Sequence, residues 1–391
     1  MEIGIIEVRY PYKMSYLDEW LNGWKEVSDR YQVFNILKES EVKSLRKKLS
    51  SLDLIVILHS VTADSNTWIK NLTHILLERR CPLILFVGNE YSNPWLSMEL
   101  RLESITEIRP EVIATQLSII AGEFLYGDSG ALIVEVPHAL PSRKVPKDNS
   151  RNREVDLGFR GFDYPWFLLD SERNSVVDQV SDFYVKNQKK VDISKSQRLD
   201  KDDWYSFLAN CKSTVASEGG SNFVFKTDAV WIEALNFLNN SSPSSYFDND
   251  FRGANLLRSL PLSVKKKLRA FGKILGKEQG AMSTLSRELL EGVIARINVE
   301  DFKYVSGKAL TSRHMDAIYC GTWQILTPGS YNGILEQGKH YSVWNPSDPA
   351  LVFQEVEEAI LSGRSTTIYE ELIDNNSYQS RISGILGRLN S

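Results

Sequence analysis

The sequence predicts an α/β protein built as two open, parallel-sheet domains facing a central cleft. Short runs rich in Ile, Leu and Val alternate with longer amphipathic stretches through the first 140 residues, a polar break follows at 141–154, and the alternation then resumes. Runs that are apolar on both faces suit strands covered by helices on each side, and a strand–helix rhythm implies a parallel sheet. At 391 residues the chain is too long for one ordinary core and suits two.

In the N-terminal domain, 1–140, strands are expected at 2–8, 32–37, 52–58, 82–88, 111–115 and 131–136, with helical patterns such as 68–78 and 95–102 between them. The segment 141–154 carries two prolines, seven charged residues and no aromatic residue, the composition of a linker. The C-terminal domain, 155–374, repeats the rhythm. Its expected strands are 155–161, 189–193, 213–217, 302–305, 323–327 and 341–345, and its helices 171–187, 202–210, 309–320 and 350–361. In the last of these Val352, Val356 and Ile360 share one face. A helical insertion is expected at about 225–298, and a final helix at 375–391 that packs back on the N-terminal domain.

Composition narrows the function classes. With 42% apolar and 25% charged residues the chain is globular, and a net charge of −4 gives no general pull towards nucleic acid. No apolar run reaches the roughly 20 residues of a membrane span. The opening MEIGIIEVRYPYK reads as a strand rather than a signal peptide. Cys81, Cys211 and Cys320 have no metal-ligand spacing, and an odd count suits a reducing compartment, so the expectation is a cytoplasmic protein without a metal site.

The segment KALTSRHMDAIYCGTWQILTPGSYNGIL, 308–335, is the most informative. A helix ending near Gly321 leads into the strand WQILT and then a turn containing Gly329 and Gly333 around Tyr331. Asp316 lies in the helix with Arg313 one turn earlier. From the residues alone it reads either as an acid accepting ribose hydroxyls or as half of a surface Arg–Asp pair. Arg160 follows a strand between Gly158 and Gly161, and is either an anion-binding guanidinium or a solvated one. In SEGGSN, 217–222, Glu218 precedes Gly219 and Gly220. The segment reads as a strand-to-helix turn, either a plain one or one whose glycines and helix N–H groups receive phosphate. His59, Glu90 and His138 each follow a strand of the first domain. Each is either structural or a base for an acceptor hydroxyl. The basic stretch VKKKLRAFGKILGK, 264–277, has six cationic residues and no acid. It is a solvated helix or a peripheral contact with an anionic membrane.

These segments resemble the donor-binding half of bacterial group 1-type glycosyltransferases of GT-B fold, nearest the spore-maturation-like and polysaccharide-cluster subset. The resemblance rests on Arg313, Asp316, Ala317, Gly321, Thr322, Gly329, Tyr331, Gly333, Ile334 and Leu335, on His340 and Tyr341, on 204–225, and on the Arg-Gly after the strand at 155. It covers most of 155–361. It implies two Rossmann-like domains and a nucleotide-sugar donor bound without a cofactor. Asp316 with Arg313 would lie at the ribose. Arg160, Gly219, Gly220, Gly329, Tyr331 and Gly333 would lie around the diphosphate, and Glu218 near the transferred sugar. The acceptor would be a carbohydrate or a lipid-linked hydroxyl. Retaining members often carry two acids eight positions apart; Asp316 matches the second, and Lys308 stands in place of the first. That departure favours one alternative, a non-catalytic sugar-nucleotide-binding partner subunit of a transferase complex; a sugar-nucleotide epimerase of the same architecture is another.

Overall fold

The computed structural model describes residues 1–10, 14–91, 93–94, 96–142, 153–170, 172–241, 292, 295–296 and 302–389. Most of the expected linker and of the expected insertion, and all of 264–277, lie outside the described residues.

The first sheet contains β1 (Ile3–Glu7), β2 (Tyr31–Asn35), β3 (Leu54–Ile57), β4 (Leu83–Phe86), β5 (Val112–Thr115) and β6 (Leu132–Glu135). Its order is β2-β1-β3-β4-β5-β6, all parallel. Every residue of β1, β3, β4 and β5 is buried. Successive side chains point to opposite faces, so Ile6, Ile55, Ile57 and Leu85 join one apolar cluster while Ile5, Val56, Ile84 and Phe86 join another. The cover is α1 (Ser15–Val27), α2 (Glu39–Lys48), α3 (Ser60–Ala63), α4 (Asn66–Leu76), α5 (Met98–Glu107) and α6 (Ile119–Tyr126). Ser65, Ser97 and Ser118 cap α4, α5 and α6 by accepting a first-turn backbone N–H.

The second half holds β7 (Val155–Arg160), α7 (Glu172–Lys186), β8 (Val191–Ser194), α8 (Lys201–Ala209) and β9 (Cys211–Ala216). After it come β10 (Val224–Phe225), α9 (Ala229–Ser241), β11 (Tyr304–Val305), α10 (Ser312–Tyr319), β12 (Trp323–Leu326) and β13 (Ser342–Val343). The chain closes with α11 (Pro349–Leu361), α12 (Arg364–Asn376) and α13 (Tyr378–Leu389). The second sheet is parallel, in the order β13-β12-β9-β7-β8. In both sheets the order reverses between the first and third strands, β1 and β3 in one, β7 and β9 in the other. A crevice outside the carboxyl ends of strands at such a reversal is where open α/β sheets bind ligands.

Three expectations are corrected. The run at 302–305 is not a strand of the second sheet; β11 pairs antiparallel with β10, and Val305 packs against the first domain's core. The helix expected from 309 starts at Ser312, because Ala309 is bonded to Gly219 and Thr311 caps the helix. No helix follows SEGGSN directly, since the chain enters β10.

The halves touch through polar and apolar contacts. Lys201 on α8 pairs with Glu19 on α1 at 2.5 Å, both side chains buried. Asp228 accepts from Met98 N at 2.8 Å, and Asn332 donates to Glu135 at 2.8 Å. The chain also crosses back: Tyr378, Ile382 and Ile385 of α13 pack with Trp20 and Trp24 of α1.

Candidate functional site

At the carboxyl ends of β9 and β12 several candidates come together. Glu218 Oε1 accepts from Tyr331 N at 2.7 Å and from Ser330 Oγ at 3.1 Å. A side chain on Gly329 would stand 2.6 Å from Glu218 Oε2. Tyr331 OH in turn donates to Thr327 O at 2.7 Å. Gly219 exchanges two backbone bonds with Ala309. At Gly220, φ is +77°, and a Cβ would lie 1.7 Å from Gly307 O. Gly220 therefore admits the Gly307 backbone, and a Cβ on Gly219 would stand 2.4 Å from Thr311 Cγ2. Gly333 is exposed at the end of the second loop.

Asp316 is not a surface residue. It is buried on α10, and its Oδ2 accepts from Ser15 Oγ and from Trp204 Nε1, both at 2.9 Å. Burial pushes its carboxyl up to about 6, against the pull of these hydrogen bonds. Arg313 stacks over Phe159 and Trp204, 4.7 and 5.8 Å from the ring centroids. Arg160, expected to be open to a ligand, is committed within its own domain. Its guanidinium holds Asp192 Oδ2 at 2.6 Å and Asp192 O at 2.9 Å, and lies 4.1 Å over Phe207. A strand-end arginine turned towards the edge strand finds that carboxylate first.

The structure supplies a different set of cations. Arg173, in the first turn of α7, stacks 3.6 Å over Tyr164 and donates to Gly220 O at 2.7 Å. Buried Asp170 pairs with Arg173 Nε at 3.7 Å and bonds Lys308. Burial alone would raise the Tyr164 phenol, yet the charges of Arg313, Arg173 and Arg198 together hold it below its ordinary value. Arg173 and Lys308 thus share Asp170, and Arg173, Arg198 and Arg313 act on the Tyr164 phenol, near the carboxyl ends of β7, β8 and β9. Sequence reasoning missed Tyr164, Arg173, Arg198 and Lys308 because they come from separate segments, three in loops and Arg173 in the first turn of α7. The one available signal was that each lies between the end of a strand and the first turn of the next helix.

In the first domain, Glu90 is buried and its carboxyl is pushed up to about 7 by burial. Thr115 Oγ1 at 2.6 Å, Gln116 N at 2.7 Å and Tyr126 OH at 3.0 Å all donate to it. It is a fully engaged support for the loop after β5. His59 and His138 come together, their rings 6.1 Å apart and nearly parallel. Tyr16 of α1 meets His138 edge-on at 5.1 Å. His314 of α10, in the segment 308–335, accepts at Nδ1 from Thr311 N at 2.9 Å. Burial holds His59 well below its usual value, His138 at about 4 and His314 at about 3, so all three are neutral near pH 7.

Among the described residues no group of three or more His, Cys, Asp or Glu side chains is placed to hold a metal ion. Nor is any helix among them long and apolar enough to cross a membrane.

No family model matches the chain, and no curated protein matches it in sequence. Among solved structures it is similar to Anabaena Alr3699/HepE. The complex with UDP-glucose aligns at 11% identity over 100% of this chain and 99% of that one, with a TM-score of 0.50. The complex with UDP aligns at 11% identity over 100% of both chains, TM-score 0.46. That with UDP and glucose aligns at 11% over 100% and 99%, TM-score 0.48. At this identity the likeness shows the fold alone, the GT-B arrangement of two Rossmann-like domains about a cleft.

Proposed function

We propose that the protein is a glycosyltransferase that moves a sugar from a nucleotide-sugar donor to a hydroxyl of a glycan, glycolipid or similar acceptor. The observation that carries this reading is the cation cluster of Arg173, Arg198 and Arg313 around Tyr164, with Lys308 joined to Arg173 through Asp170. It sits beside the acid Asp316, at the reversal point of the second sheet. A diphosphate offers the charge such a cluster lacks, and Arg guanidinium groups match it with forked hydrogen bonds.

Asp316 supports the same reading, since it already accepts a hydroxyl from Ser15. A ribose hydroxyl would take the place of that serine. As the bond from sugar to diphosphate breaks, negative charge grows on the departing phosphate. The cluster is fixed in advance where that charge develops, which is the electrostatic task that a metal ion performs elsewhere. The loops bearing Glu218, Gly329, Tyr331 and Gly333 would then wall the sugar side of the donor, and domain closure would exclude water. The likeness in fold to HepE, solved with UDP-glucose, makes a UDP-sugar the first donor to try.

The test is release of nucleoside diphosphate from a panel of nucleotide sugars, with and without a chelator. The expected result is release from at least one donor, unchanged by EDTA. Donor binding without release under any acceptor would favour the non-catalytic partner subunit. A protein that neither binds nor turns over any nucleotide sugar would contradict the proposal.

A further inference from the structure

Asn332 joins the two domains through one side chain. It lies in the loop after β12 and is half-buried. Its Oδ1 accepts from Leu310 N at 2.7 Å, in the segment that leads into α10. Its Nδ2 donates to Glu135 Oε1 at 2.8 Å and to Gln116 O at 3.3 Å, both in the first domain. An amide suits this place, since it carries an acceptor and two donor hydrogens at one side-chain end.

The partners in the first domain are themselves fixed. Glu135 ends β6, and its other carboxylate oxygen accepts from Ile119 N, at the start of α6, at 2.9 Å. Gln116 follows β5, and its N–H donates to buried Glu90 at 2.7 Å. The first domain therefore offers two anchored acceptors, one of them charged. The loop that meets them is strained. Tyr331 and Asn332 sit at φ 46° and 54°, a region that suits asparagine better than tyrosine. Two holds maintain this shape. Glu218 accepts from Tyr331 N within the second domain, and Asn332 grips Glu135 across the boundary. Parting of the domains breaks the second hold and spares the first.

We propose, on the footing of the transferase reading, that Asn332 is a positioning residue. It clasps Glu135 and Gln116, and so gives the Tyr331 loop, which would wall the donor sugar, its working shape only while the two domains touch. A hydrogen bond to a charged group shifts an equilibrium roughly 10- to 100-fold, so this contact can decide whether the closed arrangement predominates. Asn332 touches no reacting atom. Its effect falls on rate at saturation rather than on affinity for the nucleoside diphosphate. The cations that would take the diphosphate, Arg173, Arg198, Arg313 and Lys308, all belong to the second domain.

The experiment uses the full chain and the nucleotide sugar from which the wild type releases diphosphate fastest. Release at saturating donor gives kcat, and calorimetry gives nucleoside diphosphate affinity. Asn332→Asp keeps an acceptor for Leu310 N but sets a carboxylate against Glu135. It is expected to lose about 10-fold or more in kcat while nucleoside diphosphate affinity stays within about threefold. Asn332→Gly tolerates the positive φ and removes the clasp without adding charge, and is expected to behave alike. Adding Glu135→Gln to Asn332→Asp reverses the direction of the bond. The glutamine amide can donate to the new carboxylate while its oxygen still accepts from Ile119 N, so kcat is expected to return to within about threefold of the wild type. Wild-type kcat in both single variants, or a loss that the double variant does not restore, overturns the proposal and leaves the transferase reading standing. Failure of both single variants to fold overturns it too, since the clasp would then be a prop of the fold alone. A wild-type chain that releases diphosphate from no nucleotide sugar overturns the transferase reading and the positioning role with it.

Discussion

Two carboxyls in this structure stand against their surroundings, and both make stability depend on pH in the same direction. Asp316 rises from its ordinary 3.8 to about 6 and Glu90 from 4.5 to about 7, in each case through burial. A raised carboxyl means the folded chain holds a proton that the unfolded chain has released. The resulting stabilisation is full below the unfolded pKa and is lost as pH rises through the folded one. The windows are therefore about pH 4 to 6 for Asp316 and about pH 4.5 to 7 for Glu90. Each pKa unit is worth about 1.4 kcal/mol, so each group contributes on the order of 3 kcal/mol to this slope. Asp316→Asn and Glu90→Gln are each expected to flatten the fall in unfolding free energy between pH 4 and 7, read by urea titration. Variants as steep as the wild type would show that neither carboxyl is desolvated as described. Asp316 was legible in the sequence as an acid that matters, but its hydroxyl partner was not, because Ser15 is 301 positions away.

At the scale of elements, the two glycine-bearing loops differ in what they demand. Gly220 needs its glycine twice over, for a φ of +77° and for the contact with Gly307 O. Gly333 has a φ of +66° but open space around it. Gly220→Ala is expected to destabilise by roughly 3 kcal/mol or more, since the 307–309 backbone must shift. Gly333→Ala is expected to cost only about 1–2 kcal/mol, the penalty of a left-handed alanine. Urea unfolding of both variants checks this, and equal losses would contradict the packing of the first loop. The second loop stores strain of its own, with Tyr331 at φ 46° and Asn332 at φ 54°. Glu218 holds the Tyr331 N–H and Asn332 Oδ1 holds Leu310 N at 2.7 Å, which together fix that shape. The sequence pointed to these loops through their glycines. It left the role of the first open, because a glycine that admits a neighbouring backbone and one that admits a phosphate look the same in one dimension.

For the whole molecule, the sheets were the legible part. Doubly buried runs such as LIVI at 54–57 and LILF at 83–86 can be little else than strands of a covered parallel sheet. The run at 302–305 was the exception, because a short apolar run does not say which sheet it joins. What could not be read was convergence. Arg173, Arg198 and Arg313 act on Tyr164, Lys308 joins Arg173 at Asp170, and the rings of His59 and His138 come together, only after two sheets are wound and docked. Arg160 illustrates the converse, a residue with the right chemistry in the right motif that folding hands to Asp192.

The claim on which the rest depends is that the cation cluster, not Arg160, receives the diphosphate. Calorimetric titration of nucleoside diphosphates, UDP first, into the wild type and three variants tests it. Arg313→Ala and Arg198→Ala are each expected to weaken binding about 10- to 100-fold, the worth of one charged hydrogen bond. Arg160→Ala is expected to leave affinity within about threefold, since its guanidinium is held by Asp192. Affinity lost in Arg160→Ala and unchanged in the cluster variants, or no binding of any nucleoside diphosphate at millimolar concentration, would contradict the account.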